Sequence, residues 1–145
     1  MKSLANCKPT EFFTQTNRIR KSVEKWLTDT DIINIRNRIP AYEAAPKGAT
    51  AEERKAVIER NAEKQRKQAS ENAKAMLDAI MEAHPEETLE VLALCCFVEP
   101  DHIDDFPVRD YIATFTELIS DEVVLNFFTS LVRLARTNIP NTPEA

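Results

Sequence analysis

Residues 95–107, CCFVEPDHIDDFP, hold two thiols, one of the chain's two histidines and four carboxylates within thirteen positions. Either the stretch gathers ligands for a metal or a reaction, or it is the end of a buried helix that stops at a proline and restarts from an acidic loop. Spacing favours the second. Adjacent Cys95 and Cys96 on a helix point about 100° apart, whereas structural zinc wants paired ligands such as C-x₂-C. A set of Cys96, His102 and two aspartates can be drawn, but no standard spacing supports it. Asp101, Asp104 and Asp105 could offer oxygens to calcium, yet the loop is short and lacks the glycine turn and closing glutamate of an EF-hand. Contact between Cys96 and His102 across a helix end is conceivable. No small-residue loop beside them would bind an oxyanion, so no nucleophile–base pair stands out. The expectation is no catalytic residue, no metal ligand and no cofactor. Asp104 or Asp105 is expected to cap a helix starting near Pro107, with Phe106 as a hydrophobic staple. His84 is read as a helix cap.

The totals agree with a helical reading. The chain has 145 residues, enough for one domain with its own core. At 43% hydrophobic and 30% charged residues it reads as a folded chain, neither disordered nor membrane-spanning. No apolar run approaches a membrane span and no signal-like segment opens the sequence, so a cytoplasmic location is expected. Gly48 is the single glycine, which excludes phosphate-cradling loops that need two or three at fixed spacing. Three cysteines, an odd number, do not suggest a disulfide framework. Residues 1–81 carry 16 Lys/Arg and 11 Asp/Glu, while residues 82–145 carry 3 and 13. So acidic a second half would repel a phosphate backbone, and no nucleic-acid partner is expected. The acids either solvate the outside of the domain or, with the basic half, help copies associate head to tail.

Periodicity organises the rest. Thr10 is a candidate N-cap for a helix over 11–28, whose stripe is Phe12, Thr16, Ile19, Val23 and Trp26. A short helical piece is expected at 31–38 and a break at 39–49. Thr50 and Glu53 form a capping box that opens a helix from about Ala51 to Ala83. Its segment 50–72 is charged and poor in large apolar side chains, so it is expected to be solvated or to project towards another chain. From Ala73 the residues Ala73, Met76, Leu77 and Ile80 make a core-facing stripe. His84-Pro85 breaks this helix. Residues 86–98 are apolar on every side from Leu89 and should be central. The next helix carries Val108, Tyr111, Ile112, Phe115, Leu118 and Ile119. Ser120 is expected to cap the last one, which has a wide apolar stripe from Val123 to Ala135. The fold class is all-α: a compact C-terminal helical bundle with an N-terminal helix and a long charged middle helix. The expected organisation is 1–49 as N-terminal helical segment and linker, 50–137 as long helix plus core, and 138–145 as a disordered tail, a single domain overall.

The aromatic residues crowd the second half. They read as core by periodicity, or part of the set lines a groove for an amphipathic partner helix or a like subunit. The candidate partner-binding residues are Phe97, Phe106, Tyr111, Phe115, Phe127, Phe128 and Leu131. The runs LALCCFVEPDHIDDFPVRDYI and ELISDEVVLNFFTSLVRLAR resemble the tail assembly chaperones of long-tailed bacteriophages over roughly residues 89–136. EFFTQTNRIRKSVEKWL is more loosely similar to the family's start, and 50–72 has no counterpart. The resemblance implies a small non-enzymatic helical protein that self-associates into a homo-oligomer. It would bind the hydrophobic tape-measure protein in the host cytoplasm, with the tail-tube protein as a further candidate partner. The family supplies no residue-level binding motif. The alternative is a non-enzymatic structural or adaptor protein of the phage particle, or a small helical regulatory binding module.

Overall fold

The computed structural model describes residues 1–137; the tail expected at 138–145 lies outside them. Among the described residues every regular element is helical, as the all-α reading requires. Helix α1 spans Pro9–Thr30, α2 Ile32–Arg36, α3 Ala51–Asp78, α4 Pro85–Cys95, α5 Val108–Ser120 and α6 Glu122–Thr137. A π-helical turn at Ala79–Ala83 follows α3, and a 3₁₀ turn at Pro100–Asp105 precedes α5. The contacts form two units: residues 1–22 with those from Leu89 onward, and Val23–Thr88. That division differs from one near residue 50, because stretches distant in sequence pack together.

Helix starts follow local chemistry, with two shifts from expectation. Helix α1 begins at Pro9, one residue before the expected cap Thr10. Pro9 suits a first helical position, and Glu11 reaches back to accept the Lys8 backbone N–H at 3.3 Å. Thr50 Oγ1 accepts the Glu53 N–H at 3.1 Å, as its capping box requires. Ser120 is the last residue of α5 rather than the cap of α6. Asp121 takes that role, with extended backbone and a carboxylate accepting the Val124 N–H at 3.0 Å. No side-chain bond caps α5, so neither Asp104 nor Asp105 does so; Pro107 simply precedes its first turn. The staple forms as expected: the Phe106 and Tyr111 rings meet edge to face with centroids 6.3 Å apart.

The first unit is organised around the end of α4. The Val98 N–H donates to Ala93 O at 3.0 Å and the Phe97 N–H to Leu94 O at 3.2 Å. This pair of bonds is the Schellman termination, whose reversing residue sits in the left-handed region. Glycine normally fills that place; here Phe97 holds it at φ 56°. On one side of the turn, Ala93, Cys96, Val98 and Tyr111 pack with Leu92 and Ile103. On the other, Leu4, Cys95 and Leu118 pack with residues that include Phe12, Ile19, Val124 and Phe128. Gln15, buried on α1, donates to Leu94 O at 2.6 Å and gives that carbonyl a second donor beside the Phe97 N–H. Full burial begins at Ala93 rather than Leu89, which stands at the surface.

The second unit is held by polar groups. The Trp26 indole N–H donates to Thr88 Oγ1 at 2.9 Å. That hydroxyl lies 2.9 Å from His84 O and 3.1 Å from Ile80 O, across the π turn. Segment 37–43 is irregular, and its backbone needs partners. Helix α3 supplies them through Asn72, which donates to Arg38 O at 2.9 Å, and through Asn61, which both donates to Glu43 O and accepts from Glu43 N. Arg60 and Lys64 pair with the Glu43 carboxylate at 2.7 and 3.3 Å and hold it below the usual carboxylate range. Segment 50–72 thus does what neither expectation covered: it packs a narrow polar face, with Val57 buried, in its own unit. Of the stripe expected after it, Met76 and Ile80 are half-buried, while Ala73 and Leu77 are exposed. The lone glycine closes a type II turn, with Gly48 at φ 78° and the Ala49 N–H on Pro46 O at 3.1 Å.

Asn72→Ala should cost about 1–2 kcal/mol in urea unfolding and speed amide exchange within 37–43. Unchanged exchange there would show that Asn72 does not hold the segment. The Tyr111 hydroxyl donates to Ile103 O at 2.8 Å. Tyr111→Phe should therefore cost about 1 kcal/mol, and Tyr111→Ala about 3–5 kcal/mol, measured in the same way.

Candidate functional site

The thiols and acids of 95–107 do not converge. Cys96 is 1% exposed and its sulfur lies 3.9 Å from Tyr111 O. Burial pushes the Cys95 and Cys96 thiols up to about 11, so both are neutral near pH 7. The His102 Nδ1 lies 3.0 Å from Asp105 Oδ2. His102 and Cys96 line one open cleft of about 590 Å³ with Lys2, Glu99 and Phe106, but each polar group there is otherwise engaged. Arg18 grips Glu99 with two parallel bonds of 2.9 and 2.8 Å and holds its carboxyl below the usual range. Asp101, Asp104 and Asp105 point to solvent. Among the described residues no group of three or more His, Cys, Asp or Glu is placed to hold a metal ion. At the other histidine, His84, Nδ1 lies 3.5 Å from the Glu87 carboxylate.

The feature the fold leaves open is apolar. Helix α5 carries two rows. Tyr111, Thr114 and Leu118 face inward and are buried. Val108, Ile112, Phe115 and Ile119 form a second row at i, i+4, i+7 and i+11, and all four are exposed, Val108 at 66% and Ile112 at 57%. Helix α6 repeats the pattern. Val124 and Phe128 reach the core, while Val123, Leu131 and Val132 stand outside, Val123 at 79%. Phe127 bridges the two situations, since its ring meets Phe12 with centroids 5.7 Å apart yet remains partly exposed. Exposed apolar rows of this kind are what an interaction surface presents.

The predicted partner residues divide accordingly. Phe106, Phe115, Phe127 and Leu131 are exposed, and Phe97 and Phe128 are half-buried. Tyr111 lies in the core and presents nothing to a partner. Val108, Ile112 and Ile119, which share a sequence stripe with buried Tyr111 and Leu118, face outward. The signal that separates them is the width of the stripe: a row at 111, 114 and 118 already satisfies one neighbour, which leaves a parallel row to spare. Phe13, beside the α1 stripe, is exposed on the same unit. Among the described residues no helix is long and apolar enough to cross a membrane. Compared with protein-family models, curated proteins and solved structures, the chain finds no match in any of the three.

The buried thiols give a direct check. At pH 8 a thiol titrating near 11 is about one part in a thousand thiolate. Native protein should therefore be alkylated at half-buried Cys7 first, and at Cys95 and Cys96 only after unfolding. Fast native labelling of Cys96 would mean an accessible, activated thiol.

Proposed function

We propose that this chain is a tail assembly chaperone of a long-tailed bacteriophage. It is a non-enzymatic helical protein that covers apolar segments of the tape-measure protein in the host cytoplasm and associates with itself. The observation that carries the reading is the exposed row Val108, Ile112, Phe115 and Ile119 on α5. Four apolar side chains at helical spacing fit the apolar face of an amphipathic helix, the kind of segment a long helical client exposes before it is packed. A holding protein needs no nucleotide or reactive group. It needs coverable apolar surface and charge enough to stay soluble, and the excess of acids after residue 81 supplies the charge. The motifs in 89–136 add the phage context.

Co-expression with the tape-measure protein tests it. The wild type should raise the soluble client and co-purify with it, and should be absent from finished virions. Ile112→Asp with Phe115→Asp places charges in the centre of the exposed row and should weaken the complex about a hundredfold, with the helical circular dichroism of the free chain unchanged. A client that is no more soluble with the wild type, or a variant that holds it as well, would contradict the reading. Recovery in virions would favour a structural component.

A further inference from the structure

The segment 1–8 ahead of α1 carries one large buried apolar side chain, Leu4, which packs with Cys95 and Leu118 in the first unit. Its polar groups are satisfied locally. The Asn6 N–H donates to Ser3 O at 3.2 Å, the Ser3 N–H to Asn6 Oδ1 at 2.9 Å and the Ala5 N–H to Ser3 Oγ at 3.2 Å. The Cys7 thiol lies 3.7 Å from Leu4 O. Among the described residues, every hydrogen bond of 3–7 therefore closes within 3–7, and lifting the segment from its seat breaks none of them. What fastens it is side chains. Glu11 Oε2 accepts from Lys2 Nζ at 2.8 Å and from the Lys8 N–H at 3.3 Å, so one carboxylate clasps both ends. Lys2 also lies 5.5 Å from the centre of the Phe97 ring. The clasp is an exposed ion pair, a weak contact in water. Leu4 is the pin.

Three clefts surround the segment, of about 590, 350 and 400 Å³, and each takes part of its wall from it. Met1 and Lys2 line the first, Lys2 the second, and Leu4, Ala5 and Cys7 the third. Aromatic rings line them as well: Phe97 borders the first two, and Phe12 and Phe127 the third. We propose that residues 1–8 are a strap that lifts as a unit from Pro9, and that closed Leu4 fills an apolar groove which opening joins to the neighbouring clefts. The groove's resident is thus the chain's own leucine. One leucine and one exposed ion pair set a low threshold for local opening. A helix that presents several apolar side chains exceeds it, so the closed strap restrains such a helix without excluding it. This restraining role rests on the client reading above, whereas the opening is a property of the chain alone.

The two adjacent thiols test the strap against each other. Cys95 lies in the cluster with Leu4, whereas Cys96 lies in the other cluster, with Tyr111. In the full native chain at pH 8, Leu4→Asp should speed alkylation of Cys95 about tenfold or more, with Cys96 at its wild-type rate. Fragment-ion mass spectrometry separates the two sites. Lys2→Ala removes the clasp and the ring contact but keeps the pin, so it leaves the core intact should Leu4→Asp fail to fold. It should raise Cys95 labelling about threefold, again without Cys96. Equal acceleration at both thiols, or an unchanged Cys95 in both variants, would overturn the strap. With the tape-measure protein present, Leu4→Asp should bind about tenfold more tightly than the wild type, because no closed state competes. Equal or weaker binding would overturn the restraining role. No binding by either chain, with Cys95 still selectively labelled, would contradict the client reading and support the strap.

Discussion

The backbone reversal at Phe97 is the constraint on which the first unit depends. A chain with one glycine has spent it at Gly48 in the second unit, so the end of α4 must turn through the left-handed region with a bulky residue in place. An isolated phenylalanine pays for that conformation, of order 1 kcal/mol. Three interactions hold it. The two N–H groups that follow the helix return to Ala93 and Leu94, the Phe97 ring packs against the cluster of Leu4, Cys95 and Leu118, and Lys2 sits 5.5 Å from its centroid. The reversal then points Cys96 and Val98 into the cluster that receives Tyr111. The thiols and acids gathered by the sequence are thereby pulled apart, sulfurs inward and carboxylates outward. A stretch that collects reactive residue types in one dimension disperses them in three.

The same geometry explains the surplus of exposed apolar surface. Reversal at Phe97 and restart at Pro107 lay α5 down with Tyr111 and Leu118 inward, which uses one row of a helix that has two. Helix α6 follows after the single break at Asp121 and covers the core with Val124 and Phe128, with Val123, Leu131 and Val132 exposed among the described residues. Polar residues meanwhile take up interior positions elsewhere: Gln15 meets the end of α4, and Asn72 binds an irregular segment. The interior amides of Gln15 and Asn72 are compensated by hydrogen bonds, whereas the apolar rows of α5 and α6 stand exposed among the described residues. That contrast underlies the proposed role in binding other chains.

Much of this was legible in the sequence. Hydrophobic period and proline position placed the breaks at 39–49, at His84-Pro85 and around Pro100, and the threonine half of the capping box at Thr50 forms. The start of α1 lies earlier than the expected cap Thr10 because Pro9, with its pre-set φ, takes the first helical position, and the cap of α6 is Asp121, one residue after Ser120. The staple at Phe106 was legible because it is local. What periodicity cannot convey is which half of a wide stripe meets a neighbour, so Ile112 and Ile119 read as one stripe with Tyr111 and Leu118. It also undervalues interior polar residues, since Asn72 in a charged helix looks solvated until segment 37–43 lies against it. The left-handed Phe97 had no sequence signal, because the residue that normally announces such a turn is glycine.

The central claim is that the outward apolar rows of α5 and α6 exist to be covered by other chains. Hydroxyl-radical footprinting read by mass spectrometry compares them directly with the core, in the dilute free chain and in the complex proposed with a tape-measure client. Phe115 and Leu131 should oxidise readily in the free chain and become protected in the complex, while Tyr111 stays protected in both. If Phe115 and Leu131 were already as protected as Tyr111 in the dilute monomer, or were oxidised equally in the complex, the rows would not be binding surfaces and the account would fail.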